Sequence, residues 1–241
     1  MRRPAALAAV RRSITTCEQC PRLRDYCREV GRVRKRAYRD DIYWARPVPG
    51  FGDPHARVLI VGLAPAAHGA NRTGRVFTGD GVGGSGDFLM AALHRAGFAN
   101  IATSQRADDG LVLKDVYIAA AVRCAPPANK PTPEEIHTCL DHLEAETSAL
   151  PQVEIVVALG KIAWDACLTL LSRQGVPLPR PKPAFGHGAI FAAATSGTRG
   201  TCSTLVGAYH PSRQNTNTGT VTPAMYDAVF RDHIGRRLLT S

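Results

Sequence analysis

No apolar run in these 241 residues approaches the roughly 20 that a bilayer-spanning helix requires, and internal repeats and low-complexity segments are absent. Those absences argue against a helical membrane protein, a solenoid or a fibrous chain. An export signal is also missing: Met1-Arg2-Arg3 leads only into a short apolar stretch, 4–10, before Arg11-Arg12 interrupts it. Seven cysteines is an odd number, which cannot close into a complete set of intramolecular disulfides, so thiols or metal ligands are expected, in a soluble cytoplasmic protein. Acidic residues are scarce, 20 Asp+Glu against 30 Lys+Arg, a formal net charge of +10 that attracts polyanions such as nucleic acid. What is present is ample for folding. The composition, 44% hydrophobic and 21% charged, supports a full core rather than disorder.

The charge is unevenly placed. Residues 1–57 carry 14 Lys+Arg and 6 Asp+Glu, a net of +8, whereas 58–241 carry 16 and 14, a net of only +2. Arg22, Arg24, Arg28, Arg32, Arg34, Lys35, Arg36 and Arg39 give the first segment the density of a helical face, either solvated or in contact with phosphates.

Beyond it, short β-branched runs at 57–63 (RVLIVGL), 115–122, 154–159 and 204–209 read as buried strands, with 188–192 a weaker candidate. Helical patterns lie between them at 87–96, from Thr132, at 161–171 and from Thr222-Pro223 to about residue 239. Thr132-Pro133-Glu134-Glu135 combines an N-cap, a proline at the first helical position and a capping-box glutamate. Strands alternating with helices predict an α/β fold whose mainly parallel sheet is covered on both faces. Ligands of such sheets gather beyond the carboxyl ends of the strands, which directs attention to the segments after Leu63, Val122 and Tyr209.

Two separated cysteine pairs are candidate ligands. Cys17 and Cys20 form a C-x2-C pair in the basic segment; Cys124 follows the second strand, and Cys139 lies fifteen residues later on the helix that starts at Thr132. Four soft thiolates suit an iron–sulfur cluster or a zinc ion, and their separation would let the metal pin the N-terminal segment to the body. Spacing does not choose the metal, and unliganded thiols are the alternative. Cys167 and Cys202 read as small core residues, and Cys27 as a spare ligand.

The loop 62–80 (GLAPAAHGANRTGRVFTGD) is rich in small residues that let a planar ligand approach the backbone. Within it Phe77 offers a ring on which a base stacks, Asp80 a carboxylate to position water or stabilise a cation, and His68 a titratable donor. The glycines of 81–86 lack the Lys-Ser/Thr ending of a P-loop and read as flexible backbone at a helix N-terminus, near a phosphate. The last strand is followed by 210–219 (HPSRQNTNTG), a ten-residue polar loop in which His210, stiffened by Pro211, suits an electrophile beside a groove-entering wedge.

Taken together, GLAP with AHG-x-NRTG and FTGD, the segment CAPPANKPTP at 124–133 and the loop at 210–219 closely resemble the uracil-DNA glycosylase superfamily, in particular its B-type, family 5. The resemblance runs from about Cys17 to the last helix, as a single domain over 1–241 whose first 57 residues form the basic segment. It implies a three-layer α/β/α sandwich around a central, mainly parallel four-stranded sheet, with an N-terminal basic helical segment. It further implies one structural four-iron (4Fe-4S) cluster on Cys17, Cys20, Cys124 and Cys139. By the same resemblance the protein flips a damaged nucleotide from duplex DNA and hydrolyses its N-glycosidic bond, leaving an abasic site with no lyase step. His210 would donate to the uracil O2, and Asp80 would stabilise the oxocarbenium-like sugar or orient water. Phe77, His68, Asn129, Ala66 and Ala67 would line the base site, and Arg213, Gln214 and Asn215 would fill or read the emptied duplex.

Uracil-specific relatives carry an Asn four residues before the third cluster cysteine, where this chain has Ala120, and an acidic or amide residue near Ala67 or His68. A site without that hydrogen-bonding discriminator rejects analogues less strongly. The expected substrates are therefore uracil together with hypoxanthine, xanthine and ethenocytosine, handled by a monomer with no membrane partner. The competing reading is a metal-stapled nucleic-acid-binding module without catalysis.

Overall fold

The structure, a computed structural model, describes residues 3–193, 204–235 and 238. Four near-continuous apolar runs pair as parallel strands: β2 (Val58–Gly62), β3 (Val116–Ala120), β4 (Ile155–Leu159) and β6 (Thr204–Ala208). Each is fully buried, as expected of strands covered on both faces. The sheet, however, has six strands rather than the four expected, in the order β1-β3-β2-β4-β6-β5. The additions, β1 (Phe51–Gly52) and β5 (Ile190–Ala192), are antiparallel edges of two and three residues, too short to leave a periodic signal of their own. The weak candidate at 188–192 is thereby a strand at its last three residues.

Alternate side chains of each central strand enter opposite cores. Val58, Ile60, Ile118 and Val157 pack beneath α4 (Ser85–Arg95) and the C-terminal segment, while Leu59, Val61, Ala119 and Val156 meet α1 (Arg3–Thr15), α5 (Pro133–Ser148) and α6 (Lys161–Arg173). This two-sided burial is the three-layer α/β/α sandwich. The capping box of α5 forms as its sequence predicts: the Thr132 hydroxyl accepts from the Glu135 amide at 3.2 Å and the Glu135 carboxylate from the Thr132 amide at 2.8 Å.

Two expectations change. The polar loop after β6 is not irregular throughout, because Ser212 caps a one-turn helix, α7 (Arg213–Asn217). The last helix starts after Thr222 as α8 (Pro223–Asp227) but widens into a π-helical stretch, Ala228–Gly235, before the described residues break off; its expected end near 239 lies outside them. Cys167 is buried on α6 as a core residue, and Cys202 lies outside the described residues. Among the described residues no helix is long and apolar enough to cross a membrane.

The N-terminal segment is helical, as α1 and α2 (Pro21–Val33), and lies against the body. Leu23, Cys27 and Val30 bury one stripe of α2, and Arg22 reaches across to Glu135 of α5 at 2.6 Å. The Trp44 and Ala45 amides donate to the Arg72 and Asn71 carbonyls at 2.9 and 3.0 Å, and the buried Asn71 amide group donates to the Cys27 carbonyl at 3.3 Å. Much of the basic density is spent locally. Arg28 pairs with Glu18 and Arg32 with Glu29, each at 2.7 Å, so the segment is no uniform cationic face.

Candidate active site

Strand register sets the site. Gly62 stands opposite Ala120 and Leu159 opposite Ala208, so the segments that follow β2, β3 and β6 emerge at one edge of the sheet. Between them lies a cavity of about 320 Å³ lined by Ala66, Phe77, Asp80, Ala120, Asn129 and His210, among others. Three segments far apart in sequence, singled out for separate reasons, thus supply one chamber.

Close packing around small residues gives the chamber its shape. Phe77 adopts a left-handed backbone (φ 51°) that turns its ring back over the end of β2, where any Cβ at Gly62 would meet the ring at 2.8 Å. A Cβ at Gly86, in the first turn of α4, would collide with the Phe77 carbonyl. The Gly86 amide instead points at Asp80, donating long hydrogen bonds of 3.3 and 3.4 Å to its two carboxylate oxygens. The Gly83 amide donates to Asp87 at 3.0 Å. The glycine-rich turn thus directs two of its amides to the protein's own carboxylates at the N-terminus of α4, where the sequence reading placed it.

The loop bearing Phe77 and Asp80 is anchored from beneath. Arg75, 9% exposed, pairs with Asp109 at 2.7 Å and donates to Thr78 at 2.8 Å and Ser104 at 3.1 Å. Burial raises the Asp109 carboxyl's pKa, but the Arg75 hydrogen bonds and the Leu111 and Arg106 amides more than offset this and hold it below the usual carboxylate range. Arg72 clamps the other side through Asp41 at 2.5 Å and the Gly79 carbonyl at 2.6 Å.

His210 faces Phe77, with ring centroids 5.8 Å apart and planes 29° from parallel. Seating a planar group between the rings would need two van der Waals layers of about 3.5 Å each, more than this spacing allows. Burial pushes the His210 pKa down to about 4, with the nearby Asp80 charge only partly opposing. The imidazole is thus neutral at neutral pH, able to donate one N–H without carrying charge. Its position is set from behind by groups that the sequence reading missed. The Tyr209 amide donates to His187 Nδ1 at 3.2 Å, which leaves the ring proton on Nε2 for the Met225 carbonyl at 3.1 Å, and the Tyr226 hydroxyl donates to the Tyr209 carbonyl at 2.7 Å. A histidine in the irregular stretch between α6 and the short β5 carries no sequence signal of such a role.

The remaining candidates divide. Ala66 and Asn129 line the chamber, Asn129 from a tight turn in which both it and Ala128 have positive φ. His68 and Ala67 line instead an adjoining cavity that shares Ala66, Asp80 and Asn129 with the first. Of the expected wedge, Asn215 folds back to donate to the His210 carbonyl at 2.8 Å, and Arg213 donates to the Val82 and Asp80 carbonyls at 3.1 and 3.3 Å. Gln214 is exposed. Two of the three therefore bind the protein's own loops.

Cys17, Cys20, Cys124 and Cys139 line a third, narrow cavity where α2, the end of β3 and α5 meet. Among the described residues no three Cys, His, Asp or Glu side chains close on the position of a single metal ion. That is compatible with a four-iron cluster, in which each thiolate holds its own iron and the sulfurs do not converge on one point. The donor set fits such a group in a second respect. Arg123 Nε and His142 Nε2 border this cavity as buried nitrogens without a hydrogen-bond partner, although Arg123 pairs with the buried Glu146 at 2.7 Å, and Arg24 borders it with its Nε 3.4 Å from the Glu18 carboxylate. Cys27 is buried beside the set, its thiol donating to the Ala125 carbonyl at 3.7 Å.

Comparison with known proteins agrees with this architecture. The family model of the uracil DNA glycosylase superfamily matches residues 49–233. A type-5 uracil-DNA glycosylase of Mycobacterium leprae is 53% identical over 220 residues, 91% of this chain and 90% of that protein. The type-5 enzyme of Thermus thermophilus is 51% identical over 91% of this chain and 93% of its own length, and a type-4 enzyme of Pyrobaculum aerophilum 32% identical over 73% and 72%.

Proposed function

The chain belongs to the uracil DNA glycosylase superfamily, and from that premise we infer that it is a DNA-repair glycosylase hydrolysing the N-glycosidic bond of uracil in DNA. The observation that carries the reading is the single chamber in which Phe77, Asp80 and a neutral His210 meet. In glycosidic cleavage the departing base gains negative charge while the sugar becomes cationic, so groups that favour both charges lower the barrier. The His210 N–H donates to the base oxygen as charge develops there. A neutral donor is suited to this, because it strengthens its hydrogen bond with the growing charge instead of holding the ground state. Asp80, kept in place by the Gly86 amide, faces the sugar and favours its positive charge or orients the attacking water.

The substrate is read as duplex DNA from which the damaged nucleotide is flipped, and the active species as one chain, since both cavities at the sheet edge are completed within it. Ala120 places a methyl group where a discriminating amide would stand, which supports acceptance of hypoxanthine, xanthine and ethenocytosine alongside uracil. The test is base release from duplexes carrying each of the four. Release of uracil is expected, with at least one other base; inactivity of pure protein on all four would replace this reading with that of a non-catalytic nucleic-acid-binding module.

A structural four-iron cluster on Cys17, Cys20, Cys124 and Cys139 is part of the same proposal, supported by their shared cavity and its unpartnered nitrogens. Bound there, it would join the N-terminal segment to β3 and α5 and supply no step of the hydrolysis. The thiols then serve as ligands, which suits the cytoplasm. Brown protein with broad visible absorbance and about four irons per chain is expected. Colourless protein containing zinc after anaerobic preparation would refute it.

A further inference from the structure

The adjoining cavity, about 330 Å³, has a chemistry unlike the first. Its walls include Tyr26, Lys35 and Tyr38 of the N-terminal segment, which meet His68 and Asn129 of the body, and Asp80 stands on the boundary. Both chambers have an imidazole, the Asn129 amide and Asp80 in their walls, but the first adds the Phe77 ring and alkyl groups whereas this one adds an ammonium and phenol hydroxyls. Asp80 is its single lining carboxylate among the described residues. The Tyr38 ring is braced by Arg72, whose guanidinium sits 3.9 Å from the ring centroid.

His68 is tethered through one ring nitrogen. The Tyr43 hydroxyl lies 3.0 Å from His68 Nδ1, a contact that leaves Nε2 as the ring nitrogen open to the cavity. Burial, then Lys35 and Arg72, lower the His68 pKa, so the ring is neutral. An anion would thus meet the exposed Lys35 ammonium and several neutral groups able to donate.

We propose that this second cavity is the subsite for the phosphodiester flanking the flipped nucleotide, with Lys35 and His68 Nε2 as its donors. The inference rests on the glycosylase reading and follows the order of the chambers. A nucleotide is base, then sugar, then phosphate; across the sheet edge run the aromatic chamber, the shared wall bearing Asp80, and the chamber bearing Lys35. With the base beside Phe77 and the sugar at Asp80, the next group along the chain is the phosphate. Holding it fixes the anomeric carbon against Asp80 and draws a residue of the basic segment into catalysis as a positioning group.

The test pairs Lys35→Ala with uracil duplexes in which the phosphate 5′ or 3′ of the lesion is replaced by a neutral methylphosphonate. On the natural duplex Lys35→Ala should lower kcat/KM roughly 10-fold, as expected for loss of one charge-assisted hydrogen bond, and reduce the salt slope of binding by about one. His68→Phe should lower kcat/KM by about 3-fold, the loss of a neutral donor. With one of the two flanking phosphates neutralised, the Lys35→Ala loss should shrink to less than about 2-fold. Losses that stay near 10-fold at both positions, or a salt slope unchanged by Lys35→Ala, would overturn the proposal. Uracil release by the unaltered protein tests the glycosylase reading separately, so the two can fail independently.

Discussion

The two loops that carry Asp80 and His210 are built in opposite ways. The first is fixed from below by a buried polar network: Arg75, Asp109, Thr78 and Ser104 lock residues 75–80, and Arg72 clamps Gly79. The second rises from β6 and is held locally, by the Ser212 cap, the Asn215 bond to the His210 carbonyl and the His187 and Tyr226 contacts to Tyr209. Asp80 stands on rigid, buried support, while the histidine stands next to the partly exposed turn of α7. Rigidity at one loop and accessibility at the other follow from where each places its polar partners.

The sharpest break in that comparison is Asp80→Asn, which removes charge and keeps shape. Turnover on uracil DNA should fall roughly 10²–10⁴-fold, with duplex affinity nearly unchanged; wild-type turnover would move the cation-stabilising role elsewhere. His210→Gln should cost about 10²-fold in turnover. It should also change acid stability. The folded pKa near 4 lies below the ordinary value of 6.5, so the wild-type protein keeps full stability above pH 6.5 and loses it as pH falls toward 4 while only the unfolded chain takes up the proton. Thermal or urea unfolding at pH 4.5 and 7.5 should show the variant losing less, by about 2 kcal/mol, than the wild type. Equal pH dependence would place the protonation elsewhere.

Arg75→Met tests the rigid side. Leaving Asp109 buried without its partner should destabilise the fold by about 3 kcal/mol in urea titration, and slow turnover by loosening Asp80. At the accessible loop, Asn215→Ala removes one hydrogen bond to a main-chain carbonyl and should lower kcat only about 3-fold. If Asn215→Ala cost more than Arg75→Met in turnover, the division between a rigid loop and a forgiving one would be reversed.

Much of this was legible before folding, for reasons that differ by element. The strand at 57–63 and the capped helix after Thr132 follow from local periodicity and capping chemistry, and both form within a residue or two. The edge strands did not announce themselves, because two or three residues carry no period. Asp80, Phe77 and His210 were recognisable because they sit beyond strand ends in unusual loops, and the fold places them in one chamber. Arg213 and Asn215 donate to main-chain carbonyls of the protein's own loops, partners that the sequence of the loop does not show. His187 reaches Tyr209 and Arg75 reaches Asp109 across stretches of chain too long for any local pattern to mark them.

The excess of basic residues, concentrated before residue 58, was fixed by composition, as were the α/β alternation and the two cysteine pairs. These are sums and spacings along the chain. Only the tertiary structure decided how the charge is used: Arg28 and Arg32 pair with glutamates at the surface, whereas Lys35 lines a cavity next to Asp80. It alone set the His210 pKa, because burial is a property of what packs around a ring. It likewise gathered four cysteines from three segments around one cavity. Sequence spacing fixes which groups are available; which of them meet, and in how much water, is settled by packing.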